Sequence, residues 1–107
     1  MKWLETIKVQ AAGDQEGVME KELKALAHDL GKAPECPGLV ETALYSHASV
    51  PGHFAIRLFW DTQCLQIQGS LLGLSLTQTL KAFGLVDHSV WIEIRKIQGG
   101  RENEQQN

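Results

Sequence analysis

The segment from Leu80 to Ile94, LKAFGLVDHSVWIEI, decides the predicted fold because it joins the end of a helix to a strand. Gly84 stands where a helix C-terminus favours a residue that accepts a left-handed backbone. From Val86 to Arg95, one set of alternate positions is mainly apolar, a period of two that is typical of a half-buried strand. The segment therefore predicts the last helix and the last strand of the domain.

Working outward from this segment, hydrophobic periodicity and turn residues divide the rest of the chain. The predicted elements are a strand over 3–10, a helix over about 15–30, strands over 39–47 and 53–60, and a helix over about 65–83. The order β-α-β-β-α-β predicts an α+β fold, the ferredoxin-like plait. In this fold a four-stranded antiparallel sheet carries both helices on one face. We expect residues 1–98 to form this domain and residues 99–107, GGRENEQQN, to be a disordered polar tail.

The composition argues against several classes of function. The chain has 107 residues, a net charge of −3 and ten basic residues that form no cluster, so nucleic-acid binding is not expected. The N-terminus is too polar for a signal peptide and no apolar run reaches transmembrane length, which predicts a cytoplasmic protein without membrane contact. Cys36 and Cys64 lack metal-ligand spacing and are expected to be free thiols.

Alternation along the strands also defines the sheet face that the helices leave open. The predicted helix-facing set is Ile7, Val9, Val40, Leu44, Phe54, Ile56, Leu58, Val90, Ile92 and Ile94. The opposite set is Thr6, Lys8, Glu41, Tyr45, His47, His53, Arg57, Phe59, Trp91, Glu93 and Arg95. A monomer would leave the large aromatics of this second set in water. We therefore predict a homodimer in which two open faces pack together, with opposite charges matched across the sheet.

The motifs RLFWD (57–61) and FGLVDHSVW (83–91), with the length and the order of elements, resemble the antibiotic-biosynthesis-monooxygenase-like (ABM) proteins of the dimeric α+β-barrel superfamily. The resemblance covers roughly residues 3–97 and implies a homodimeric barrel with a pocket in each subunit. Several members of this family oxidise polycyclic phenols with O₂ and no metal or organic cofactor, and others degrade haem. The family's pocket asparagine has no counterpart here, because Asn103 and Asn107 are the only asparagines and both fall in the tail.

His88 and Asp87 are the candidate catalytic residues. An imidazole beside a carboxylate can act as a general base, and a deprotonated phenol can give an electron to O₂. The alternative is that both side chains fix the helix-to-strand turn by local hydrogen bonds.

The candidate substrate-binding residues are Trp60, Phe83, Arg57 and Tyr45. Trp60 and Phe83 would supply apolar pocket walls, or simply pack in the core. Arg57 would bind a substrate oxygen or pair with Glu41 or Glu93 across the sheet. The histidines that flank the predicted hairpin, His47 and His53, could hold a metal together with a carboxylate, but they do not have the spacing of a known metal motif, so no metal is expected. The resemblance to the cofactor-free members of the family implies that no cofactor is needed.

Two hypotheses follow from the sequence. The first is a cofactor-independent monooxygenase that acts on a small aromatic compound of the phenol or quinol type. The second is a homodimer of the same fold that binds a small ligand, or only itself, without catalysis.

Overall fold

The computed structural model describes residues 1–32 and 36–99, and it confirms the predicted plait. The elements are β1 (Lys2–Ala11), α1 (Glu16–Lys32), β2 (Leu39–Ser46), β3 (His53–Asp61), α2 (Leu71–Leu80) and β4 (Gly84–Ile92). The strands form one sheet in the order β2-β3-β1-β4, and the neighbouring strands are antiparallel. Residues 100–107 of the predicted tail lie outside the described residues.

The core lies between the helices and the face of the sheet that alternation predicted. Strand β1 is central, and its positions 3, 5, 7 and 9 are all buried on this face. Met19 and Leu23 of α1 and Leu76 and Leu80 of α2 cover them from the other side. The periodicity therefore identified correctly which side of each helix is buried.

The ends of two elements differ from the prediction. Helix α2 begins at Leu71 rather than near residue 65, so Cys64 lies in an exposed loop and not at a helix N-terminus. Its C-cap is Lys81 in a right-handed conformation. Gly84 does not have the expected positive φ; it opens β4, where an added Cβ would lie 1.9 Å from the Gln10 carbonyl oxygen. A close approach between strands, rather than a helix cap, explains this glycine.

Three residues of the predicted helix-facing set are substantially exposed. A register shift between Leu39 and Glu41 turns Leu39 toward Trp60 and leaves Val40 68% exposed. Strand β4 ends at Ile92, which is 52% exposed, and Ile94 beyond it is 97% exposed. The register shift breaks the alternation at Val40. Ile92 keeps its register opposite Trp3 and is exposed because it is the last residue of an edge strand.

Candidate functional site

A fully buried carboxylate, that of Glu5, lies at the centre of the helix-facing side of the sheet. Glu5 sits in the middle of β1, where its cross-strand partners are Leu58 on β3 and Val90 on β4. Acidic side chains are almost never fully buried unless they are paired. The surroundings of this carboxylate therefore define the candidate site.

Four hydrogen-bonding groups from three residues, two for each oxygen, surround the Glu5 carboxylate. The backbone N–H of Ser70 donates to Oε1 over 3.0 Å, and Nε2 of His88 lies 2.8 Å from the same oxygen. The hydroxyl of Ser70 donates to Oε2 over 2.5 Å, and the indole Nε1 of Trp60 donates to it over 2.8 Å. Within the described residues, no buried side-chain nitrogen or oxygen lacks a partner, so the cluster is fully satisfied.

Strand register explains why two of these partners reach Glu5. In the β1–β4 pair His88 stands opposite Ile7, and in the β1–β3 pair Trp60 stands opposite Trp3. Both are thus diagonal neighbours of Glu5 on the same face, a separation that long and aromatic side chains can span. Trp60 is fixed further by stacking on Trp3, with ring centroids 5.4 Å apart and planes 14° from parallel.

The N-terminus of α2 supplies the other partner, Ser70. Ser70 is the N-cap of the helix, because its Oγ accepts a hydrogen bond from the backbone N–H of Gly73 over 2.9 Å. The same hydroxyl uses its proton on Glu5, so it serves as acceptor for the helix and as donor for the carboxylate. A carboxylate at a helix N-terminus also gains from the partial positive charge there.

Two glycines on either side of Ser70 leave room for the pair formed by Glu5 and His88. A Cβ on Gly73 would lie 2.0 Å from Glu5 Oε1, and one on Gly69 would lie 2.3 Å from the His88 ring. Gly69 also has a φ of +103°, which disfavours any other residue. The segment GSLLG, 69–73, is therefore shaped to receive a carboxylate and an imidazole.

The His88 side chain is 13% exposed, and its inner nitrogen is bound to Glu5. Its sequence neighbour Asp87 points to the opposite, open face and is exposed. The carboxylate that contacts His88 is thus that of Glu5 and not that of Asp87. An imidazole held by a carboxylate through one nitrogen can accept or donate a proton through the other.

The four predicted substrate-binding residues do not form one pocket in the structure. Trp60 contacts Glu5, whereas Phe83 lies in the turn between α2 and β4 and packs against the core. Arg57 and Tyr45 lie together on the open face, with the guanidinium carbon 5.2 Å from the centre of the Tyr45 ring. No ion pair joins Arg57 to Glu41 or Glu93 in the described residues, and the contact with Tyr45 is a cation–π pair.

The open face contains a cavity of about 430 Å³ at the end of the sheet that carries the hairpin. The small side chain of Ala55 is directly opposite Lys8 and Tyr45, which leaves a depression between larger neighbours. Asp87, His47 and His53 contribute polar groups to its lining. His88 and Trp60 do not line this cavity. A second cavity of about 250 Å³ borders Trp3 and Trp60 but not His88.

The two hairpin histidines have a structural role in the turn. The His47 and His53 rings meet edge to face, with centroids 5.8 Å apart. His47 Nδ1 accepts hydrogen bonds from the backbone N–H groups of Ser49 and Val50. Over residues 1–32 and 36–99, no group of three or more His, Cys, Asp or Glu side chains could hold a metal ion.

Glu5 and Ser70 are the site residues that the sequence interpretation missed. Placing Ile7 and Val9 in the core also assigns Glu5 to the core by alternation, so a charged residue at a buried position of a central strand was the available signal. Ser70 offered a second signal, since a serine immediately before a run of apolar residues is typical of a helix N-cap.

Solved structures of other proteins share this fold. The chain is similar to SnoaB, a cofactor-independent oxygenase from Streptomyces nogalater, in a mutant with an asparagine changed to alanine. The TM-score is 0.65 and the identity 12%, over 90% of this chain and 96% of SnoaB. It is also similar to a "putative antibiotic biosynthesis monooxygenase" from Deinococcus radiodurans, with a TM-score of 0.62, 16% identity and the same coverage. The resemblance to ABM proteins is therefore confirmed at the level of fold.

The other comparisons add no family assignment. No protein-family model and no curated protein matches the chain. No helix in the described part of the chain is long and apolar enough to cross a membrane.

Proposed function

We propose that this protein is a cofactor-independent monooxygenase that acts on a small aromatic compound of the phenol or quinol type, with His88 as its general base. One observation supports this proposal above the others: a buried carboxylate holds His88 through Nε2 and leaves Nδ1 for a substrate. The likeness of the fold to that of a cofactor-independent oxygenase supports the choice of reaction.

The proposed reaction needs only the substrate, O₂ and a base. Nδ1 of His88 takes the phenol proton, and the buried Glu5 carboxylate stabilises the resulting imidazolium. The phenolate gives one electron to O₂, and the two radicals combine to form a carbon–oxygen bond and a hydroperoxide. Loss of water breaks the O–O bond, so one oxygen atom remains as the quinone carbonyl and the other leaves as H₂O. The two hydrogens removed from the phenol end in that water, and no external reductant is consumed.

Trp60 is the proposed apolar wall on the side of the sheet that carries His88. Phe83 precedes Gly84, which stands opposite Ala11 at the other end of β1 from Trp60, so its proposed role is to close the far end of the same core. Trp60 adjoins the carboxylate that holds the base, and Phe83 belongs to the same core. Apolar side chains on this side favour a flat aromatic substrate. The open-face residues Arg57, Tyr45 and Asp87 are assigned to contacts with a second subunit or with a ligand there.

The open face is the proposed homodimer interface. Trp91 is 60% exposed and Tyr45 44% exposed on this face, and Leu85 on the same side is 75% exposed. Exposed aromatic and aliphatic side chains next to charged residues are typical of a protein interface. Light scattering coupled to size exclusion should give twice the mass of the chain at micromolar concentration, and a monomer mass would contradict the dimer.

Binding of a small ligand without catalysis is a second candidate function, and the open-face cavity favours it. Its volume of about 430 Å³ suits a small molecule, and His88 does not line it. Tyr45 and Lys8 offer a hydroxyl and a cation to such a ligand. A compound that raises the melting temperature without oxygen uptake, and loses this effect in Ala55→Trp, would support this function over catalysis.

Oxygen consumption with a panel of phenols and hydroquinones tests the proposed reaction. We expect uptake of one O₂ per substrate, no release of H₂O₂, and full activity after metal chelation. With ¹⁸O₂, one labelled atom should enter the product. His88→Ala should reduce kcat by about 10²–10⁴-fold, the range for a general base.

His28→Ala is the matched control, because His28 is an exposed histidine on α1 and is not among the hydrogen-bond partners of Glu5. This variant should retain wild-type turnover. Equal activity of His88→Ala and His28→Ala on a substrate found in this way would show that His88 is not the base. No uptake with any compound of the panel would contradict the proposed chemistry.

A further inference from the structure

The donors around Glu5 determine which nitrogen of His88 carries a proton. The backbone N–H of Ser70 and the indole N–H of Trp60 can only donate, and each faces a different oxygen of the carboxylate. The Ser70 hydroxyl accepts from Gly73 and so directs its own proton to Glu5. With three donors in place, the carboxylate acts as an acceptor only.

It follows that His88 donates to Glu5 through Nε2–H. In a neutral imidazole with its proton on Nε2, the lone pair is on Nδ1. Nδ1 has no hydrogen-bond partner among the described residues. Every buried side-chain nitrogen in those residues does have a partner, so Nδ1 is not buried. Nδ1 is therefore open to solvent or to a substrate, on a ring that is otherwise enclosed.

The ring has little freedom to turn over and exchange its nitrogens. Gly69 lies against the ring edge, where an added Cβ would lie 2.3 Å from Cε1 and 2.9 Å from Nε2. The His88 side chain is only 13% exposed. Close packing on one edge and a short hydrogen bond on Nε2 fix the ring in one orientation.

We propose that Glu5 is a positioning residue that locks His88 in the Nε2–H tautomer, with the basic Nδ1 facing outward. The segment Gly69–Gly73 and Trp60 hold the carboxylate for this purpose. The lock is a property of the resting protein, and its effect on turnover rests on the proposed function. A buried charge in a central strand, with space left for it by two glycines, is consistent with this role.

Nitrogen NMR of ring-labelled histidine tests the lock without any substrate. Spectra are recorded at a pH high enough for the ring to be neutral, and His88 is assigned by its loss in His88→Ala. The expected result is a single tautomer with the proton on Nε2, and a predominant Nδ1–H form would overturn the proposal. This measurement decides the proposal even if every variant at position 5 fails to fold.

Glu5→Gln is the variant that separates a positioning role from a structural one. An amide presents one oxygen and one NH₂ group, so it cannot accept from all four donors. We expect the Nε2–H preference to weaken and kcat to fall about 10–100-fold, the usual effect of removing the group that orients a histidine, with KM within about two-fold. Ser70→Ala, which also damages the cluster but keeps the carboxylate, should lose stability and retain the tautomer. Unchanged tautomer and unchanged kcat in Glu5→Gln would refute the role.

The two proposals fail in distinguishable ways. An Nε2–H tautomer in a protein that consumes no oxygen would leave the lock in place and contradict the proposed reaction. Oxygenase activity that depends on His88, in a protein with an Nδ1–H tautomer, would support the reaction and overturn the lock.

Discussion

Replacing Gly73 with alanine should destabilise the domain, although alanine is the better helix former. Gly73 is buried in the first turn of α2, and a Cβ there would lie 2.0 Å from Glu5 Oε1 and 2.7 Å from its carboxyl carbon. Since real Cβ atoms stay at least 3.0 Å from such neighbours, the carboxylate or the helix must move by about 1 Å.

The hydrogen bonds of Glu5 set the size of the effect. They measure 2.5–3.0 Å, and a movement of about 1 Å stretches them to the limit of an effective bond or beyond it. Each hydrogen bond to a charged group contributes about 1.5–3 kcal/mol, and alanine returns about 1 kcal/mol of helix propensity. Loss of two bonds therefore lowers the free energy of unfolding by about 2–5 kcal/mol, which for a domain of this size lowers Tm by roughly 8 °C or more.

Urea unfolding followed by tryptophan fluorescence measures this change, and Gly17→Ala is its control. Gly17 is also helical, in α1, but nothing lies within 4 Å of an added Cβ, so the same substitution should be neutral or stabilise by up to about 1 kcal/mol. In a Glu5→Ala background, the cost of Gly73→Ala should fall by at least half, since its clash partner is gone. Equal stability of the two glycine variants, or an unchanged cost without Glu5, would refute the reasoning.

Three further predictions concern single side chains. Trp60→Phe keeps the stacked ring but removes the donor to Glu5, and it should lower the free energy of unfolding in urea by about 1.5–3 kcal/mol. A loss below about 0.5 kcal/mol, the size of the effect of a typical surface substitution, would contradict this hydrogen bond. Trp91→Glu should convert the proposed dimer to monomer in light scattering, and a dimer of unchanged affinity would place the interface elsewhere. The exposed Cys64 should react with a thiol reagent faster than the half-buried Cys36, and equal rates would contradict the structure.

The element order and the core face followed from the sequence because they depend on local rules. Alternation placed Ile7 and Phe54 in the core, and a 3.6-residue period placed Leu23 and Leu80 against them. These patterns are repeated many times along a strand or helix, so single exceptions do not change the result. Single exceptions do affect the ends of strands and helices. The register shift at Val40, near the start of β2, depends on how β2 pairs with β3, which no local pattern specifies.

The start of α2 shows the same limit in a different form. The sequence-based prediction places Leu65 in one helix with the leucines that follow from residue 71, yet the helix begins only after Ser70. The Ser70 hydroxyl and N–H both bind Glu5, which is 65 positions away in the chain. Tertiary contact with a buried carboxylate thus fixes a helix boundary that propensity alone would place elsewhere.

The contact between Glu5 and His88 depends on which strands pair, and the predicted strand order contains that information. Glu5 and His88 are 83 positions apart, and they meet only because β1 and β4 pair with Ile7 opposite His88. The predicted plait already makes these two strands neighbours, and alternation already places both residues on the helix side. A carboxylate and an imidazole at buried positions of adjacent strands must then either pair with each other or remain unpaired in the core at a prohibitive cost. The sequence therefore contained a strong argument for Glu5 as the partner of His88. The adjacency of Asp87 was misleading because successive residues of a strand point to opposite faces.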